Sequence, residues 1–132
     1  MIGTTNELTR WARALYTGRL LPPQQQSELT SLVSTATGQP IDQTSPTDPN
    51  GFGLGVAQLT IDPLGTFWAY EGSTWGFRVL HVYLPESELI IAVGLNSRTV
   101  DDQMTALVLA VLDTLAEHGV VDAPSAPADE AA

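Results

Sequence analysis

Apolar residues recur at helical spacing near the start of the chain and predict two helices. The first follows a capping box, in which Thr4 precedes Glu7 by three residues, and should end near Gly18. The second opens at Pro22-Pro23, because proline is tolerated in the first turn of a helix, and its apolar positions are Leu29, Leu32 and Val33. Residues 34–51 are rich in Thr, Ser, Pro, Gly, Asp and Asn, and this composition is typical of a loop.

The central part of the chain changes to the alternating and continuous apolar patterns of β-strands. The predicted strands are Phe52–Ile61, Phe67–Gly72, Gly76–Leu84 and Leu89–Leu95. Turn signals lie between them, of which Asp62-Pro63-Leu64-Gly65 is the clearest. Both faces of the last strand are apolar, which predicts a covered, interior position.

A third helix follows the strands. Asp101-Asp102 provides a cap, and Gly119 is a suitable stop. One wide apolar stripe runs along it, made by Met104, Leu107, Val108, Val111, Leu112 and Leu115. The fold class predicted by this order of elements is α+β, with a short antiparallel β-meander flanked by helices.

The length of 132 residues indicates one domain or part of one. Residues 1–121 contain all of the predicted elements. Residues 122–132 contain only Ala, Pro, Ser, Asp and Glu, so we expect a disordered acidic tail with nothing to bury.

The chain carries 15 acidic residues, five arginines and no lysine, for a net charge of −10. Nucleic acids and anionic membrane surfaces require basic patches, so the charge disfavours both, and we expect no nucleic-acid partner. The chain has no cysteine, and its Asp and His residues lack metal-ligand spacing, so we assign neither a metal site nor a cofactor. The longest apolar run, Ala106–Leu112, is too short to span a bilayer, and the residues after Met1 do not have the pattern of a signal peptide.

Three short motifs, in this order and at this spacing, resemble the C-terminal part of the serine β-lactamase and penicillin-binding-protein superfamily. The first is Thr5–Leu15 with Gly18-Arg19-Leu20-Leu21, and the second is Gly53-Leu54-Gly55. The third is Trp68–Phe77, which is followed by two apolar strands and is similar to the late active-site strand. The likeness covers about residues 4–118 and is strongest to class C β-lactamase-like proteins, which include D-alanyl-D-alanine carboxypeptidases and serine esterases.

The resemblance implies a partial β-lactamase/transpeptidase-like fold and a hydrolase of β-lactam, D-Ala-D-Ala peptide or ester substrates. It places the remnant of a substrate-binding strand at Tyr70, Glu71, Gly72 and Ser73. The backbone N–H of Ser73 would stabilise the oxyanion, and Gly72 would allow close approach of the substrate. Members of the superfamily are often periplasmic or extracytoplasmic, but this sequence does not determine the compartment.

The sequence departs from the superfamily at the residues that perform the chemistry. Without lysine no Ser-x-x-Lys motif exists, and Tyr-x-Asn is also missing, so we assign no catalytic residue. Tyr70 stands where the superfamily has Lys or His, and a phenol is neutral at pH 7. Glu71 would repel an anionic substrate, which favours a neutral ester or amide. His81 is expected to be a packed strand residue with one satisfied nitrogen.

Two classes of function stay open at this point. The chain is either the C-terminal portion of a serine hydrolase, inactive alone, or a non-catalytic interaction module that keeps the scaffold. In the superfamily, strands from the N-terminal part pair with the strand after the active-site motif. The corresponding edge here, Leu89–Leu95, would be left open. The expected partner is therefore a separate N-terminal half or a second copy of the chain.

Overall fold

The computed structural model describes residues 3–62, 64–97 and 103–121. In these residues the chain forms three helices: α1 (Thr5–Tyr16), α2 (Pro23–Leu29) and α3 (Gln103–Glu117). It also forms seven strands: β1 (Leu32–Ser34), β2 (Pro40–Ile41), β3 (Asn50–Phe52), β4 (Ala57–Ile61), β5 (Gly65–Thr74), β6 (Phe77–Leu84) and β7 (Leu89–Leu95). All seven join one antiparallel sheet in the order β2-β1-β3-β4-β5-β6-β7. The predicted α+β class is confirmed.

The region before β4 differs from its prediction. The second helix ends at Leu29, and Leu32 and Val33 belong to β1. The hydroxyl of Thr30 donates to the backbone carbonyl of Gln26, and that of Ser31 to Ser27, so these side chains take up carbonyls of the last helical turn. Residues 34–51 are not one loop, since they contain β2 and the start of β3.

The predicted strand Phe52–Ile61 is in fact two strands, β3 and β4. A tight turn divides them, in which the N–H of Gly53 donates to the carbonyl of Val56 at 2.8 Å. The two glycines of this segment, Gly53 and Gly55, lie in that turn rather than in a strand.

The predicted start of α1 and the predicted stops of α1 and α3 are confirmed. At the start of α1 the Thr4 hydroxyl accepts from the Glu7 N–H, and the Glu7 carboxylate accepts from the Thr4 N–H. Both helices stop at a glycine in the left-handed region, Gly18 at φ +69° and Gly119 at φ +66°. In each case two backbone hydrogen bonds close the last turn, as in a Schellman motif.

The sheet lies between α1 and α3, which cover opposite faces of β5–β7. On the α3 face, alternate sheet residues form the core with the buried stripe of α3. These residues are Phe67, Ala69, Leu80, Val82, Ile91 and Val93 from the sheet, and Met104, Val108 and Leu112 from α3. On the other face α1 packs against β6 and β7.

β7 has a helix on each of its two faces, as predicted, but it has a neighbouring strand on one side only. β7 is the last strand of the sheet, so the interior position expected from its apolar pattern is wrong. The predicted cap at Asp101-Asp102, Pro63 of the predicted turn and the tail at 122–132 lie outside the described residues. None of the described helices has the length and apolar character needed to cross a membrane.

Candidate active-site edge

The second half of β5 extends past its neighbour on one side. β4 begins at Ala57, which pairs with Ala69, whereas the described residues Tyr70–Thr74 pair with β6 alone. The extension ends in a two-residue turn at Trp75-Gly76, where Gly76 has φ +89°. The segment Tyr70–Thr74 therefore presents one edge of unpaired backbone groups, and we refer to it as the β5 edge.

The four residues predicted to line a substrate site all lie on this edge, but on two faces of the sheet. Tyr70 and Gly72 alternate to the face that carries α1, and Glu71 and Ser73 alternate to the face that carries α3. A Cβ placed on Gly72 would meet no atom within 4 Å. Gly72 is thus not required by packing inside the chain, and the space beside it is open to a ligand.

Glu71 is engaged in an ion pair with Arg78 across the β5–β6 hairpin. The Nε and Nη2 atoms of Arg78 each lie 2.7 Å from Glu71 Oε1. Because the guanidinium offsets the carboxylate charge, the repulsion of an anionic ligand that the sequence suggested is weakened. Sequence reasoning missed this pair, although two opposite charges flanking a Trp-Gly turn at diagonal positions are a usable signal.

Tyr70 meets an aromatic partner from a distant part of the chain. Its ring centroid lies 6.4 Å from that of Phe52, and the two side chains are 42% and 45% exposed. Both residues are among those that line an apolar cleft of about 310 Å³ between β4–β6 and α3. Sequence reasoning missed Phe52, because nothing in the local pattern pairs it with a residue eighteen positions later.

A second polar cluster lies beneath α1, around the buried side chain of His81. His81 Nε2 is 2.9 Å from the hydroxyl of Tyr16, and the ring of Trp11 stands edge-on to the imidazole at 6.0 Å. Tyr16 also stacks on Tyr83 at 5.2 Å. Burial lowers the pKa of His81 and raises the pKa of the Tyr16 phenol. The expectation of a packed histidine with one satisfied nitrogen is confirmed.

The buried His81 should make stability depend on pH. Its pKa is lowered from 6.5 in the folded chain, so below pH 6.5 the unfolded chain binds more protons. The free energy of unfolding should therefore fall as the pH drops from 6.5 towards 5, by at most about 1.4 kcal/mol per pH unit. Urea titrations at several pH values would measure this slope.

A matched pair of variants tests the assignment to His81. His81→Gln keeps a hydrogen-bonding side chain without a titration in this range, so its slope between pH 6.5 and 5 should flatten. Gln25→Ala, on the exposed side of α2, removes no titratable group and should keep the slope of the parent chain. Glu7, whose pKa is lowered from 4.5 by its bonds to Thr4, acts only at lower pH. An unchanged slope in His81→Gln would contradict the assignment.

Among known proteins, a solved structure resembles this fold, although no family model matches the chain and no curated protein matches it. A solved structure of a D-stereospecific amidohydrolase from Streptomyces sp. superposes with a TM-score of 0.61 at 25% sequence identity. The fold is β-lactamase-like.

The similarity covers 77% of this chain but only 28% of the amidohydrolase. The chain thus spans less than a third of that enzyme's length. The structural match supports the superfamily suggested by the three sequence motifs, and with it a hydrolase-like origin of the β-lactamase-like fold.

Within residues 3–62, 64–97 and 103–121, no group of three His, Asp or Glu side chains is arranged to hold a metal ion.

Proposed function

We propose that this chain is the C-terminal, substrate-facing portion of a serine β-lactamase-like hydrolase and is inactive alone. The observation that carries the proposal is the β5 edge. A five-residue stretch of strand with an open side, an unhindered glycine and an aromatic residue is suited to bind an extended acyl compound through backbone hydrogen bonds. The solved neighbour, an amidohydrolase, supports hydrolysis of an amide or related acyl bond as the ancestral reaction.

In this proposal Tyr70, Glu71, Gly72 and Ser73 bind the substrate and perform no covalent chemistry. The Ser73 N–H acts as an oxyanion donor, and Gly72 leaves room for the substrate backbone. Tyr70, with Phe52, contributes an apolar wall, which favours an uncharged ester or amide. No lysine is present among the 132 residues, so the activated serine of a Ser-x-x-Lys motif must come from another polypeptide segment.

The isolated chain is therefore expected to form no covalent acyl-enzyme. After incubation with a reactive penicillin or an activated ester, mass spectrometry of the intact chain should show the unmodified mass. The same reaction in urea serves as the control for non-specific acylation of exposed hydroxyls. A stoichiometric adduct on one serine of the folded chain, absent in urea, would contradict the proposal.

The second candidate function is a non-catalytic interaction module built on the same scaffold. Two open strand edges in one small sheet, at β5 and β7, favour it, because such edges are templates for association. The proposed partner is a separate N-terminal half or a second copy of this chain. Mixing the chain with a polypeptide that carries Ser-x-x-Lys and Tyr-x-Asn distinguishes the two functions, since gain of hydrolysis supports the first and its absence the second.

A further inference from the structure

The two ends of the sheet are built differently. At one end, β2 has two residues and includes Pro40, which has no N–H to offer, so this edge is blunt. At the other end, β7 has seven residues, with neither charge nor proline. Each of its residues pairs one-to-one with β6, so no bulge twists the edge away. In the part of the chain that the structure describes, β7 therefore lacks the charge, proline and bulge by which natural proteins protect an edge strand.

Within residues 3–62, 64–97 and 103–121, the helices hold β7 in place and no strand pairs with its outer edge. Ile91 and Val93 are buried in the core on the α3 face, and α1 packs over the opposite face. Leu107 of α3, which is 43% exposed, lies on the flank of that helix away from Thr105 and Leu109, the residues that line the β4–β6 cleft. It thus adds apolar surface on the β7 side of the molecule.

The pattern of β7 is complementary to itself. In an antiparallel pair across a two-fold axis at Ala92, Ile91 faces Val93 of the other copy and Ile90 faces Gly94 of the other copy. The first of these pairs lies on the α3 face of both copies, and the second lies on the α1 face of both copies. The helix-covered faces of the two sheets would therefore be on the same sides of the joined sheet. All seven positions pair apolar residues with apolar residues.

Each chain carries −10, but the carboxylate that flanks β7 in the β6–β7 turn adds little local repulsion to this pairing. The nearest hairpin carboxylate, Glu88, would stand opposite the neutral Asn96 of the other copy. The two Glu88 side chains would be eight residues apart along the strand, about 27 Å at about 3.4 Å per residue. That separation exceeds the Debye length of about 8 Å at physiological salt, so their repulsion is screened.

We propose that two copies of this chain pair β7 to β7 about a two-fold axis at Ala92, joining their sheets into one continuous antiparallel sheet. The β5 edge lies at the other side of the β5–β7 meander and stays open in both copies. The pairing therefore leaves the proposed substrate edge free, but it competes for β7 with a separate N-terminal half, the other proposed partner.

Sedimentation velocity of the full chain over a wide concentration range is the first test, and a reversible dimer is expected. Gly94→Lys and Gly94→Glu each place a charge on the β7 edge. The site accepts a side chain, because a Cβ there meets only the Thr5 methyl at 3.6 Å. Both variants should raise the dimer dissociation constant at least tenfold. Gln25→Lys and Gln25→Glu, on the exposed side of α2, make the same charge changes and should leave it unaltered.

Cysteine cross-linking tests the register, because the chain contains no cysteine. Ala92→Cys should form a disulfide-linked dimer on mild oxidation, since residues opposite each other in an antiparallel pair have Cα atoms about 4.5–5.5 Å apart. Gln25→Cys is the control and should not cross-link at the same protein concentration. A monomer at every concentration overturns the proposal. A dimer that neither weakens with the Gly94 variants nor cross-links through position 92 also overturns it.

Discussion

Met104→Ala is expected to lower the free energy of unfolding by about 2–5 kcal/mol. Met104 is fully buried where the first turn of α3 meets the sheet, and it belongs to the same core cluster as Leu80 and Val93. Truncation removes most of the apolar contact of that turn and leaves a cavity that the sheet cannot fill, because β6 and β7 are fixed by their ladder. Equilibrium urea unfolding followed by circular dichroism would measure the change.

A variant on the same helix provides the control. Leu109→Ala removes a similar volume from α3, but Leu109 is 39% exposed and only borders the cleft. Its cost should be well under half that of Met104→Ala, since less area leaves the interior. Equal losses in the two variants would show that α3 is not held by the buried stripe of Met104, Val108 and Leu112.

That stripe was visible in the sequence, and so was most of the meander. The predicted bounds of β5, β6 and β7 all lie within two residues of the observed ones. They are long and strongly patterned, and glycine or proline turns separate them. The capping box at Thr4 and the stop at Gly119 each depend on a few neighbouring residues, so a short sequence pattern was enough to predict them.

The strands β1, β2 and β3 were not predictable in the same way. Each has two or three residues, too few to show a period, and the pairing of β1 with β3 joins residues far apart in the sequence. Val33 pairs with Phe52, nineteen residues away, and the buried Ser34 binds the carboxylate of Asp48. Buried polar groups of this kind make a sheet segment resemble a loop in composition.

The candidate site shows the same division. Its strand, Tyr70–Ser73, was found from a motif, but its surroundings come from tertiary structure. Phe52 pairs with Ala57 at the start of β4, and Ala57 pairs with Ala69 of β5. These two pairings bring the ring of Phe52 close to that of Tyr70. The interior position predicted for β7 was wrong for a related reason, since an apolar pattern reports covered faces and not the presence of a neighbouring strand.

Gly53→Ala is expected to be destabilising, towards the upper end of the ~1–3 kcal/mol typical of overpacking. A Cβ on Gly53 would lie 2.4 Å from the carbonyl oxygen of Leu29, at the end of α2. That oxygen also accepts the N–H of Leu54 at 3.0 Å, so it cannot move away without loss of a hydrogen bond. The β3–β4 turn would have to lift from α2.

Gly72→Ala is the matched control for this substitution. Gly72 sits on a strand with open space around its Cα, so alanine there should change the free energy of unfolding by well under 1 kcal/mol. The two glycines lie in two of the three sequence motifs that resemble the β-lactamase superfamily, and the contrast shows that they have different structural roles. Gly53 allows the β3–β4 turn to pack closely against the end of α2, whereas Gly72 leaves open space beside the β5 edge. If Gly53→Ala and Gly72→Ala unfolded at the same urea concentration, the prediction would be contradicted. The packing of the β3–β4 turn against α2 would then not be the cause of the position of Phe52 beside Tyr70.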